Sequence, residues 1–181
     1  MVRRRRGLFG WRRQLGRRRR QRELVMARHP AWTRQFLDED DFDAITRAIA
    51  EAESRTSGEI RVHLERRVPR RLFGRAPDAL ARAGHVFHRL GMHRTAERHG
   101  VLIYLAIEER RLAVVGDEGI HGRVGDGHWH DVRDLMIERL RANAAREAIV
   151  RAVGAVGRAL AEHYPRRPDD RNQLSNDVSV S

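Results

Sequence analysis

The stretch Gly100–Gly125, GVLIYLAIEERRLAVVGDEGIHGRVG, limits the possible folds more than any other part of this chain. Val101 to Ile107 is a seven-residue apolar run of strand length, and Leu112 to Val115 is a second, shorter one. Only Glu108-Glu109-Arg110-Arg111 separates them, so the pattern predicts a β-hairpin. The first run lacks polar alternation. That fits a strand covered on both faces, which places it at the centre of a sheet with helices above and below.

Working outward, Asp38 to Asp41 puts carboxylates where a helix start favours them. Phe42, Ile45, Ile49 and Ala52 then recur on one helical face, ending before Thr56-Ser57-Gly58. Ile60, Val62 and Leu64 alternate with Arg61, His63 and Glu65, the period-two mark of a strand with one polar face. This first strand is expected nearer a sheet edge than Val101 to Ile107. Residues 69–77 read as a loop into a helix from Asp78 to Leu90, with Leu80, Ala83, Phe87 and Leu90 facing inwards. Strand, helix and strand form a βαβ unit, so the first and central strands should be parallel. After the hairpin, a helix is expected from Trp129 to Arg141, capped by Asp126 or Gly127, with Val132, Leu135, Met136 and Leu140 inwards. A longer helix should span Ala144 to His163 before Pro165 stops it. The expected fold class is therefore α/β: a single-domain α/β/α sandwich with a mixed sheet, a central βαβ unit followed by a hairpin, and two C-terminal helices. Its expected limits are 38–165, between a basic, disordered leader at 1–37 and a disordered polar tail at 166–181.

Composition narrows the chemistry. The chain of 181 residues has no cysteine, which excludes disulfides, thiol catalysis and cysteine-ligated metals. The sequence has no apolar run long enough for a membrane-spanning helix and no apolar signal core, so a cytoplasmic location is expected. The net charge is +12, but residues 1–25 hold eleven arginines and one glutamate, a net of +10 that leaves +2 (12 − 10) for the rest. The basicity belongs to the leader. Such a leader fits three readings: an extension upstream of a true start at Met26, a solvated tail, or an anchor on nucleic acid or an anionic membrane surface.

The expected topology gathers Thr56, Ser57, Glu59, Arg94, Thr95, Arg98, Asp117 and Glu118 on one edge of the sheet, with Asp126 and Asp131 close by in sequence. Carboxylates beside tight glycine turns suit a hard cation such as Ca2+ or Mg2+, with Asp117, Glu118, Glu59, Asp126 and Asp131 as candidate ligands. The alternative is that Asp117 and Glu118 cap a turn and pair with nearby arginines. The glycines of GDEGI and GRVGDG lack the lysine of a P-loop and the spacing of a dinucleotide fingerprint, so they read as turns, and no organic cofactor is expected. His128 and His130 would point about 200° apart on a helix, so both could ligate a metal only in an extended segment, and with His121 they read as exposed or capping residues. Ser57 and Thr95 lie in no recognised nucleophile motif.

TRAIAEAESRTSGEIRVHLE followed by VFHRLGMHRTAERHGVLIYLAIEERRLAVVGDEGIHGRVG resembles a TPM domain, the family that includes a thylakoid-lumen photosystem II repair protein and many bacterial membrane-associated proteins. The likeness covers about residues 40–165, and TSGEI, RTAERHGVLIYLA and GDEGI in this order carry it. It implies an α/β sandwich with helices on both faces of a mixed sheet. Some members are similar to acid phosphatases and some bind calcium through acidic loops, which extends both ideas to Glu59, Asp117 and Glu118. The sequence lacks the signal peptide, C-terminal membrane helix and glycine-rich tail of many relatives. The expected role is a non-catalytic accessory module that binds a protein partner, with or without a structural divalent cation, in assembly or maintenance of a complex. Its rival is a metal-dependent phosphatase in which Asp117 holds the cation, Glu59 or Glu118 is second ligand or base, and Arg94 or Arg98 orients phosphate. A third role is anionic-surface binding through residues 1–25.

Overall fold

The computed structural model describes residues 28–69, 78–95 and 97–181, so the readings of residues 1–25 and of Met26 lie outside the described residues. The expected leader limit at 37 is corrected: Ala31–Gln35 is a 3₁₀ helix, and Leu37 is buried in the core with Trp32 and Phe36 packed against it. The first long helix, α1 (Glu39–Glu53), starts where the acidic run predicts. Asp38 Oδ1 accepts from the Asp41 amide at 2.9 Å and Asp41 Oδ2 accepts from the Asp38 amide at 3.1 Å, a reciprocal cap that satisfies two otherwise orphaned donors. Strand β1 (Glu59–Glu65) follows, then α2 (Ala79–Arg89) and β2 (Gly100–Ala106), and β1 and β2 are parallel as the βαβ reading requires. A turn at residues 107–110, with Arg110 at φ 51°, leads into β3 (Arg111–Gly116), which runs antiparallel to β2. The chain closes with α3 (Glu118–Arg141), α4 (Ala145–His163) and a two-residue strand β4 (Ser179–Val180).

The sheet order is β3-β2-β1-β4, a mixed four-stranded sheet with helices on both faces. One face carries Ile60, Val62, Leu64, Val101, Ile103 and Leu105 against α1, α3 and α4. The other carries Leu102, Tyr104, Ala106 and Ala113 against α2 and Met92. Both faces of β2 are therefore apolar and buried, which is why its sequence shows no alternation. β1 sits one place from the edge, beside only the two residues of β4.

Three further expectations change. First, α3 begins at Glu118 rather than Trp129, and is broken at Gly125, where φ is 72° and ψ is 176°. Asp117 is its cap, and Trp129 lies in its second half, joined across the break to the first half by Trp129 Nε1 donating to His121 Nδ1 at 3.1 Å. Four glycines between Gly119 and Gly127 had masked the helical period. Second, Leu80 is 62% exposed, and Val86 takes the inward place assigned to it. Third, the segment after Pro165 is not detached from the domain: Val178 is buried, and β4 pairs in parallel with His63 and Leu64. Among the described residues, no helix is long and apolar enough to cross a membrane.

The motif glycines serve close packing. A Cβ on Gly119 would lie 2.6 Å from Arg98 O and 2.7 Å from Glu97 O, so the start of α3 presses on a backbone that cannot yield as a side chain could. A Cβ on Gly122, one turn on, would meet nothing within 4 Å. Gly119→Ala should therefore destabilise the protein by about 2–3 kcal/mol, and Gly122→Ala should stabilise it by up to about 1 kcal/mol. Urea unfolding of the two variants beside the wild type checks this pair.

Candidate functional site

The starts of β1 and β2 and the end of β3 bring the predicted residues into one row, but not into one cluster. Glu59 is the register partner of Gly100, and the Asp117 amide donates to Gly100 O at 2.8 Å. Two strand spacings separate the acids, about 10 Å between Cα atoms. Met92 fills the space between them: a Cβ on Gly100 would lie 3.4 Å from Met92 Cε.

Asp117 is buried and closed by two bonds. Its Oδ1 accepts from the Glu118 amide at 2.8 Å, and its Oδ2 accepts from Arg98 Nε at 2.9 Å. Glu118 is 83% exposed and lies 3.5 Å from the same guanidinium. The turn-and-arginine alternative thus describes the geometry of this corner, with the negative charge beside the positive end of α3. Arg94 is exposed on a short 3₁₀ turn. Asp126 and Asp131 are exposed beyond the Gly125 break; Asp126 lies 3.9 Å from His121, so neither acid is brought to Asp117. His128 packs edge-on against Trp129, and His130 is exposed.

Glu59 is also closed. The backbone amides of Gln173 and Leu174 donate to its two oxygens at 2.7 and 3.2 Å. Burial raises the Glu59 pKa, and these amides oppose the shift. Beside it opens a cleft of about 320 Å³, lined by Glu53, Ser57, Glu59, Arg166, Asp170 and Asn176 among others. Glu53 was not anticipated from sequence. It is buried on the last turn of α1, where its Oε1 accepts from the Ile60 amide at 2.7 Å. Burial pushes its carboxyl up to about 7, against the pull of that amide and with a further push from Glu59. Arg166 spans the rim by donating to Glu53 O at 2.9 Å.

The polar face of β1 faces the C-terminal segment rather than water. Arg61 donates to Ser175 O. His63 Nδ1 lies 2.7 Å from Ser179 Oγ, and its Nε2 lies 3.1 Å from Ser181 Oγ and 3.3 Å from Arg89 Nη2. Arg89 can only donate, so Nε2 accepts and the proton sits on Nδ1. Burial, with Arg89 adding, lowers the His63 pKa to about 4. Glu65 accepts from Arg82, with Nε at 2.9 Å and Nη2 closing the fork, and from Tyr104 Oη at 2.6 Å. Burial alone would raise the Glu65 pKa, but the bonds from Arg82 and Tyr104 hold it below its ordinary value.

The hydroxyl candidates separate. Thr56 Oγ1 donates to Tyr164 O at 2.5 Å and accepts from the Gly58 amide at 3.0 Å. Ser57 Oγ and Thr95 Oγ1 are buried and, among the described residues, are bonded to no histidine or carboxylate that could activate them. A divalent cation on this row would have to displace bonds already made. To share one, Glu59 would have to release two amides and Asp117 would have to release Arg98, and the row holds them apart. Among the described residues, no three His, Asp or Glu side chains form an ion-holding group. The residues as placed do not fit a shared cation, and no chemical step is derived through one.

A mixed four-stranded sheet between helices, with TSGEI and GDEGI at one end, defines a single-domain α/β protein. The model of the TPM domain family matches residues 32–159, more than half of the chain. This chain belongs to the TPM domain family. It is also similar to the BA42 protein of the psychrophilic bacterium Bizionia argentinensis, whose NMR structure is 36% identical with a TM-score of 0.71, covering 81% of this chain and 96% of that one. The N-terminal domain of a P. gingivalis protein, also solved by NMR, shares the fold at 21% identity and a TM-score of 0.56, covering 73% of this chain and 83% of that one. No curated protein matches.

Glu53 and His63 make opposite contributions to stability as pH changes. The raised Glu53 pKa gives stability that is complete below about 4.5 and is lost as pH rises through about 7. The depressed His63 pKa gives stability that is complete above about 6.5 and is lost as pH falls through about 4. Between pH 7 and 4.5 the two slopes oppose each other in the wild type. Glu53→Gln should leave the His63 slope, so its Tm should fall relative to wild type by about 3–6 °C on acidification across that window. His63→Gln should show the reverse trend. Melting curves at stepped pH read both.

Proposed function

We propose that this chain acts as a non-catalytic TPM-domain module that binds a protein partner in the assembly or maintenance of a complex. The observation that carries this reading is the closed state of the sheet end. Asp117 and Arg98 bind each other, Glu59 is held by two amides of the chain itself, and among the described residues the buried hydroxyls of Ser57 and Thr95 are bonded to no base. A catalytic group must reach the atom it acts on, and these groups reach their own backbone and neighbours instead.

One observation favours the hydrolase reading. Glu53, with a pKa near neutrality, lines the cleft together with Arg166 and Arg171, which places a proton donor beside cationic groups suited to a phosphoester. Steady-state assay of the full chain on p-nitrophenyl phosphate, with EDTA and with Ca2+, Mg2+ and Mn2+, separates the two readings. The accessory reading expects no turnover above buffer in any condition, together with a stoichiometric protein partner on native purification from the source cells. Turnover that falls at least tenfold in Glu53→Gln or Asp117→Asn, with the fold intact by circular dichroism, would overturn it in favour of the hydrolase.

A further inference from the structure

We infer that β3 is a self-association edge through which two copies of this chain join their sheets into one. The backbone groups of β3 are taken up on its β2 side. The Asp117 amide donates to Gly100 O, and on the other side of β2 the Ile107 amide donates to Glu65 O of β1. Each strand residue directs its N–H and C=O to the same side, so Gly100, Leu102, Tyr104 and Ala106 serve β3, and Val101, Ile103, Leu105 and Ile107 serve β1. In the observed register, Arg111, Ala113, Val115 and Asp117 are then the residues of the β3 segment bonded to β2. Leu112, Val114 and Gly116 direct their N–H and C=O to the open side. Among the described residues, no hydrogen bond engages those outward groups.

The opposite edge is treated differently, because β1 is flanked by β4. Edge strands that stay solitary are commonly interrupted by proline, a bulge or a charge within the strand. Here Leu112-Ala113-Val114-Val115 has none of these. Its charges lie outside the apolar run and have opposite signs at the two ends: Arg110-Arg111 before it and Asp117-Glu118 after Gly116.

That order is self-complementary. A second copy pairing antiparallel, with its side chains on the matching faces, must set a residue against itself on the two-fold axis. With Val114 on the axis, Val114 meets Val114 and Leu112 meets Gly116 on each side. All three outward residues then enter hydrogen-bonded pairs, about six bonds in all. In the same register Arg110 and Arg111 come to the partner's turn at Asp117-Glu118, where β3 gives way to α3. Arg110 and Arg111 are exposed and have no ion pair among the described residues, and Glu118 is 83% exposed with Arg98 no nearer than 3.5 Å. The arginines and the Glu118 carboxylate are therefore presented to the second copy, while Asp117 stays closed on its own Arg98. Shifting the register by two residues leaves one outward pair unmade and moves the arginines off the acidic turn.

Sedimentation velocity of the full chain over a micromolar concentration series tests this. The wild type should form a dimer that weakens with salt. Val114→Pro removes an outward N–H that β2 does not use, so it should give a monomer with the fold retained by circular dichroism. Arg110→Glu and Glu118→Arg should each weaken the dimer by about tenfold, and the double variant should restore it, which keeps the test decisive if Val114→Pro fails to fold. A wild type that is monomeric throughout, or a dimer indifferent to the charge variants, would overturn the inference.

Discussion

The constraint on which the rest of this structure depends is the burial of a polar row on a strand. Glu59, His63 and Glu65 are each no more than 3% exposed, and Arg61 lies between them on the same face of β1. Burying such groups without partners would cost several kcal/mol apiece. Helix α2 packs chiefly over β3 and β2 and, among the described residues, reaches this row through Arg82 and Arg89. Tyr104 Oη of β2 serves Glu65, and the other partners come from the far end of the chain: two amides at Gln173 and Leu174, a carbonyl at Ser175, and hydroxyls at Ser179 and Ser181. The path of the C-terminal segment follows from that requirement. β4 then pairs along the edge of the same strand, and Val178 and Val180 join the apolar core on its other face.

A second constraint is close approach. Gly58 admits Leu160 of α4, with 2.6 Å from its would-be Cβ to Leu160 Cδ2, and Gly157 of α4 admits Ala52 of α1 at 2.7 Å. Gly116 makes room for Trp129, and Gly119 for the backbone at residues 97–98. The two motifs that mark the family in this chain, TSGEI and GDEGI, therefore each carry a glycine where elements touch and an acid that closes on a neighbouring backbone or arginine. In this molecule they read as joints.

The hairpin, the parallel βαβ unit, α1 and α4 were legible because their apolar residues recur at the period of the element, and burial enforces that period. α3 was legible only in its second half, since the glycines of its first half carry no side chains to make a pattern. The sheet end was foreseen as a meeting place for Glu59 and Asp117, and they do share a row. The intervening Met92 and the direction of each carboxylate depend on tertiary contacts that spacing does not encode. Glu53 was missed because a carboxylate after Ala52 on an amphipathic helix looks solvated until the cleft over it is known. The tail did carry a signal: Val178 and Val180 alternate with Ser179 and Ser181, the pattern of a strand with one apolar face.

The central claim is that Asp117 and Glu59 are structural groups, satisfied by the chain itself. Thermal melting of the full chain tests it most directly, for wild type, Asp117→Asn and Glu59→Gln, in EDTA and in Ca2+, Mg2+ and Mn2+. A ligand that binds the native state must raise Tm by mass action. The account predicts that both substitutions lower Tm by several degrees and by the same amount in every buffer, with the wild type indifferent to the cations. A rise in wild-type Tm with one cation, absent from either variant, would contradict it and place that ion on the acidic row.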